Sequence, residues 1–246
     1  KTKRQTTASA ASRRKQAKPA DPPPISESDA VSVDRLCAAF AACHEGFSAD
    51  RVVADPGLNE RFAAACTAAG LPGEPRQWHA LLFRLRKAGK LAHIPTTRHT
   101  TISWRECDHY LFAAEIALQR MLNDRRATGL DGVLCDPALA AKFDEFARGM
   151  APLEDLPAFA YRWAALKLRK QAKTARHRAE QFPPLPRLGK KLSIKDFNVD
   201  DLPASSGVYV LKDGRRGTLY VGETLDLKSR LELQFGRESA LDVWME

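Results

Sequence analysis

The sequence predicts an α+β protein, in which a mainly helical, duplicated N-terminal region precedes a small α/β unit that opens with a β-hairpin and a helix. Three observations carry this. Blocks within residues 30–178 recur in order at nearly one offset. Two short runs of β-branched and aromatic residues flank an Asp-Gly step near the C-terminus. Between these regions lies a basic, Pro-containing stretch. The 246 residues thus divide into a basic arm (1–28), a first helical repeat with a candidate β-wing (29–113), a second helical repeat (114–180), a Pro- and Lys-rich linker (181–202) and the α/β unit (203–246).

A hydrophobic content of 44% over this length suffices for real cores. No apolar run approaches the roughly 20 residues that span a bilayer, and no secretory signal pattern stands at the start. The expectation is a soluble cytoplasmic protein with no membrane partner. The chain begins at Lys1 without Met, which points to a piece of a longer protein, and its Ala- and Arg-rich usage points to a bacterial source. The net charge of +9 is uneven. Lys1, Lys3, Arg4, Arg13, Arg14, Lys15 and Lys18 place +7 on the first twenty residues, and the remainder carries +2. Lys1 to Ser28 has almost nothing apolar to bury and reads as disordered. It is either an arm that holds phosphates without sequence preference or a solvated linker.

In the helical region, Asp50-Arg51-Val52-Val53-Ala54-Asp55-Pro56-Gly57-Leu58 with Phe62 aligns with Asp131-Gly132-Val133-Leu134-Cys135-Asp136-Pro137-Ala138-Leu139 with Phe143, an offset of 81 (136 minus 55). Arg84-Leu85-Arg86-Lys87 aligns with Lys167-Leu168-Arg169-Lys170 at 83, and Trp78 falls on Tyr161. Each unit starts a helix at Asp-Pro, where Asp caps free N–H groups and Pro fits the first turn. Leu58 and Phe62, like Leu139 and Phe143, then share one face. A turn at Gly70–Pro75, or at Pro152–Pro157, leads to a helix carrying Trp78, Leu81, Leu82 and Leu85, or Phe159, Trp163 and Leu166. Two or three helices per unit are expected.

Each unit ends in cations: Arg84, Arg86, Lys87 and Lys90 in one, Lys167, Arg169, Lys170 and Lys173 in the other. One reading is a helix-turn-helix-like unit laying a basic helix on DNA, with 91–94 and 100–104 as a small β-wing. Another is that basic residues favour helix C-termini and are simply solvated. A third is that the repeats bind a protein partner or a second copy of the chain. Arg162 to Lys195 holds eleven Lys or Arg and one acid, Glu180, which suits a connector lying along a phosphate backbone.

The five cysteines form no C-x-x-C pair, and an odd number argues against a disulfide framework. Cys37 and Cys66 read as small core residues. Cys43-His44 and Cys107-Asp108-His109 have ligand types without a finger spacing. No Gly-rich loop ending in Gly-Lys-Ser/Thr is present, so no nucleotide cofactor is expected.

Gly207 to Leu231 is the most specific stretch. Gly207-Val208-Tyr209-Val210-Leu211 and Leu219-Tyr220-Val221-Gly222 read as strands that pair around Asp213-Gly214. Thr224 or Asp226 then caps a helix with Leu227 and Leu231 one turn apart. The triplets Gly207-Val208-Tyr209 and Tyr220-Val221-Gly222, with tyrosines eleven positions apart and Glu223-Thr224-Leu225-Asp226-Leu227-Lys228-Ser229-Arg230-Leu231 behind them, resemble the GIY-YIG nuclease family. The resemblance covers about residues 203–246.

It implies a metal-dependent DNA endonuclease using Mg2+ or Mn2+. Tyr209 would be the general base or position the water, Tyr220 would hold the water or scissile phosphate, and Arg230 would stabilise developing phosphate charge. Gly207 and Gly222 would allow close backbone packing or a sharp turn. The family's metal-binding Glu lies on a later helix, tens of residues beyond the Arg, whereas sixteen residues follow Arg230 here (246 minus 230). Gln234 stands where many relatives place His or Tyr. The domain therefore reads as truncated after the hairpin, the helix and the start of a third strand near Leu241–Trp244, and this chain alone is expected not to cleave. Restriction, phage defence and mobile-element cutting all join such a cutter to a recognition part, and repair incision is a further option. The competing class is a non-catalytic DNA-binding or complex-assembly protein that keeps the fold.

Overall fold

The computed structural model describes residue 25 and residues 30–151, 156–179, 192–193, 198–213 and 217–235. Among them the chain is mostly helical, with one two-stranded antiparallel sheet. The helical region comprises α1 (Ala30–Cys43), α2 (Ala49–Ala54), α3 (Pro56–Ala68), α4 (Pro75–Lys87), α5 (Trp104–Asn123), α6 (Leu130–Leu134), α7 (Pro137–Met150) and α8 (Ala158–Ala179). The starts of α2 and α6, and of α3 and α7, are 81 apart (130 minus 49, 137 minus 56), and those of α4 and α8 are 83 apart (158 minus 75). Each repeat has four helices rather than two or three, because a short helix of six or five residues precedes each Asp-Pro step.

The same local chemistry recurs in both copies. The Asp55 carboxylate accepts from the Gly57 and Leu58 N–H groups at 3.0 and 3.2 Å, and Asp136 accepts from Ala138 and Leu139 at 3.0 and 3.2 Å. The equivalent residues Trp78 and Tyr161 both donate back into the preceding loop, to the Pro72 and Ala151 carbonyls at 2.9 and 2.7 Å. Gly70 ends the first α3 turn at φ +64, a left-handed position that suits glycine. One apolar core runs through both repeats, including Phe40, Phe62, Leu82, Phe112, Ile116, Leu134, Phe143 and Tyr161. His79, fully buried in α4, reaches the Cys135 carbonyl of the second repeat at 3.1 Å. The position 83 residues on, Arg162, is buried too and grips Asp144 at 2.6 Å. Arg162 therefore belongs to the core and not to a basic connector.

Four sequence expectations need correction. Residues 91–94 form turns and 95–103 no regular structure, so there is no β-wing. Ser103 and Glu106 form a capping box that starts a 20-residue helix where a second wing strand was expected. The boundary at 113/114 falls inside α5, whose middle, Tyr110–Ala117, is buried apart from the half-buried Glu115. Ile25, assigned to the basic arm, packs on the core, and its carbonyl accepts from Arg84 at 2.7 Å. A one-turn 3-10 helix, Val199–Asp201, lies within the expected linker and is tied to the C-terminal unit by Asp200–Lys228 at 2.8 Å.

The C-terminal unit consists of β1 (Gly207–Asp213), β2 (Gly217–Thr224) and α9 (Leu227–Phe235). The strands pair antiparallel from Gly207↔Thr224 to Asp213↔Gly217, with a bulge at Leu211/Lys212. Asp226 caps α9 by accepting from Ser229 N–H at 3.1 Å, and Thr224 Oγ1 accepts from Asp226 N–H at 3.1 Å. Residues 214–216, the expected turn, and 236–246, with the expected third strand, lie outside the described residues, as does most of the arm and linker.

Candidate functional site

The register places Tyr209 opposite Gly222, and Tyr220 opposite Leu211. The two tyrosines are thus diagonal neighbours on one face of the hairpin, with ring centroids 5.9 Å apart. Tyr209 lies across Gly222: a Cβ on Gly222 would stand 2.4 Å from Tyr209 Cζ. A Cβ on Gly207 would stand 2.5 Å from Leu227 Cδ1. Both glycines therefore make room for side chains rather than for close backbones or a sharp turn. Arg230, one turn into α9, brings its guanidinium beside the Tyr209 hydroxyl. The hairpin and helix thus bring together the three residues singled out for chemistry.

The surroundings were not anticipated. Helix α5 of the helical region lies against this cluster and presents Asp108, Phe112 and Glu115 along one face. Tyr220 donates to Glu115 Oε2 at 2.7 Å. Arg230 donates to the Asp108 carbonyl, pairs with the Asp108 carboxylate at 3.2 Å, and sits over the Phe112 ring at 5.2 Å. The same carboxylate accepts from Thr224 Oγ1 at 2.8 Å and Leu225 N–H at 3.3 Å. Arg230 is 2% exposed as a result. Beside it, Tyr209 Oη, Arg230 Nε and both amide atoms of Gln234 are buried with no hydrogen bond completed.

Burial sets the electrostatics. It pushes the Tyr209 phenol above its ordinary range, and Arg230 opposes this without reversing it. It pushes Tyr220 far up as well, reinforced by Tyr209 and Glu115. Glu115 is raised by burial, against the hydrogen bond from Tyr220 and the charge of Arg230. A cation stands beside Tyr209 as expected, yet in this arrangement the phenolate is disfavoured.

A divalent cation takes hard oxygen ligands. Among the described residues no three His, Cys, Asp or Glu side chains gather at one point, and the nearest carboxylates are directed onto Tyr220 and Arg230. The donor set present does not fit Mg2+ or Mn2+ in this arrangement.

The two basic clusters meet, and they do so through equivalent residues. Asp50 takes Arg86 of its own repeat, with Arg169 at 3.8 Å and Lys170 at 3.5 Å from the other. Asp131, the counterpart of Asp50, takes Arg169 of its own repeat and Lys87 of the other at 2.9 Å. Burial raises the Asp131 carboxyl, but Lys87 and Arg169 outweigh it and hold the group low. Arg84 is turned onto Ile25, and Lys167 onto the Ile102 carbonyl and the Trp104 ring, 4.5 Å away. The Lys173 side chain lies outside the described residues. Of the candidate DNA contacts, Lys87 and Lys170 keep most of their surface, each at 60% exposure. Arg169 also borders a cleft of about 760 Å³ between α5, α8 and the hairpin, which runs to Tyr220, Glu223 and Arg230.

Sequence reasoning missed Glu115 and named Asp108 only within Cys107-Asp108-His109, as a ligand type and not as a partner of Arg230. A signal existed: Glu115 is the one carboxylate in Leu111–Leu118, an otherwise apolar run. Comparison with family models, with curated proteins and with solved structures finds no match to this chain.

Proposed function

We propose that the chain is the recognition and hairpin part of a DNA endonuclease of the GIY-YIG type. The observation that carries this is the convergence of Tyr209, Tyr220 and Arg230 at one buried point, from two strands and a helix. A phosphodiester seated there would meet a phenol able to orient water or, once ionised, to deprotonate it, a second phenol for the phosphoryl oxygens and a forked cation for developing charge. Among the described residues the carboxylates that would hold Mg2+ or Mn2+ are not assembled. The cleft bordered by Arg169 offers a path for a phosphate backbone, and Lys87, which shares Asp131 with Arg169, is a further cation outside its lining. Restriction, phage defence and mobile-element cutting are the roles such a pairing serves.

The test is a nicking assay on supercoiled plasmid and single-stranded DNA with magnesium, using the protein at its full natural length. Tyr209→Phe and Arg230→Ala are each expected to lower the rate by about a hundredfold or more. Salt-sensitive DNA binding without nicking in any form would instead favour a non-catalytic DNA-binding or assembly protein.

A further inference from the structure

We infer that α5 holds the candidate site closed, with Asp108 and Glu115 occupying the positions that a phosphodiester's oxygens would take on Arg230 and Tyr220. This rests on the reading that Arg230 receives a phosphate. A guanidinium 2% exposed offers no surface to an incoming strand. What covers it is an anion with the same directional demand as phosphate: a carboxylate oxygen 3.2 Å from Arg230, and a second one 2.7 Å from the Tyr220 hydroxyl. The fit is incomplete. Tyr209 Oη, Arg230 Nε and the Gln234 amide are buried beside one another at the same point without completing a well-formed hydrogen bond, so the polar array is only partly satisfied. A phosphodiester with its attendant water has the oxygens to complete it. The contact is local and mixed: beside the carboxylates, Leu211, Tyr220, Leu233 and Phe235 pack against the core of the repeats. The Asp108–Phe112–Glu115 face holds the hairpin and α9, while an open cleft of about 760 Å³ lies alongside between α5, α8 and the hairpin. Hinging the C-terminal unit off α5 exchanges carboxylate partners for phosphate ones and uncovers the apolar edge of Leu211, Leu233 and Phe235, while the buried residues of the two repeats stay packed on one another. The helical region then acts both as a platform for the substrate and as a gate on the site.

The experiment measures anisotropy of fluorescein-labelled 20-nucleotide single-stranded and duplex DNA, with EDTA present so that nothing is cut. Asp108→Asn with Glu115→Gln is expected to bind about tenfold tighter than the unaltered protein, and adding Arg230→Ala should remove the gain. A charge-matched control, Asp124→Asn with Glu145→Gln, removes two surface carboxylates and should not reproduce it. An equal gain in the control, or a gain that survives Arg230→Ala, overturns the inference. If circular dichroism shows the double variant unfolded, Glu115→Gln alone leaves Asp108 in place; it is expected to gain about threefold, and an unchanged affinity overturns the inference. Repeating the comparison with magnesium separates the two claims. Arg230-dependent tightening without cleavage leaves closure standing and removes the nuclease reading, whereas cleavage at one rate by both forms does the reverse.

Discussion

His79 shows how much one buried residue records. Its imidazole has no exposed surface, stacks obliquely on Phe62 at 5.5 Å and reaches across to the Cys135 carbonyl. Burial holds its pKa down at about 4, so the folded protein keeps it neutral. An unfolded histidine protonates near 6.5, so the unfolded state binds the extra proton first as pH falls. Stability from this group is full above about pH 6.5 and is lost as pH drops toward 4, by up to about 3 kcal/mol. Urea denaturation at pH 7 and pH 4.5 should show the loss in the unaltered protein and a smaller one in His79→Gln. Equal losses would contradict the assignment. Nothing in the sequence around Trp78-His79-Ala80 distinguishes this histidine from a surface one, because its partner carbonyl lies 56 residues away.

At the scale of elements, the helix starts were legible because capping is local. Asp-Pro specifies where α3 and α7 begin, and the two Asp carboxylates make the same pair of hydrogen bonds, at 3.0 and 3.2 Å in each copy. Asp55→Ala and Asp136→Ala are therefore expected to cost similar amounts, about 0.5–2 kcal/mol each, read as paired shifts in the denaturation midpoint. Asp55 also pairs with Arg51 at 2.8 Å and Asp136 with Arg76 at a longer 3.8 Å, so any inequality should fall on the Asp55 side. The hairpin was legible for a related reason, since alternation and a turn signal set its register. The β-wing failed because Thr100–Trp104 reads as a strand by propensity, while Ser103 and Glu106 cap a long helix from the same residues. Capping chemistry outweighed β-propensity there.

At the scale of the molecule, the duplication has a consequence that spacing alone did not disclose. Two Asp–Arg–Lys sets, one per repeat, cross over so that each aspartate is shared between its own repeat and the other. Much of the charge expected on DNA is thus engaged in joining the repeats, Lys87 and Lys170 included, although these two keep 60% of their side-chain surface. Long-range pairing of this kind depends on how the repeats pack, which no local pattern encodes. The same limit hid the approach of α5 to the tyrosine pair. Tyr209, Tyr220 and Arg230 could be chosen from motif spacing, whereas Asp108 and Glu115 lie 116 and 105 residues from their partners Thr224 and Tyr220.

The central claim is that Tyr209 and Arg230 work as parts of one site, with a shared transition state. It is tested most directly by single-turnover plasmid cleavage with Tyr209→Phe, Arg230→Ala and the double variant, after circular dichroism has shown all three folded. Residues that act as a unit lose activity together, so the double variant should fall within about threefold of the worse single one. Losses that multiply, or single variants that cut at the unaltered rate, would contradict it.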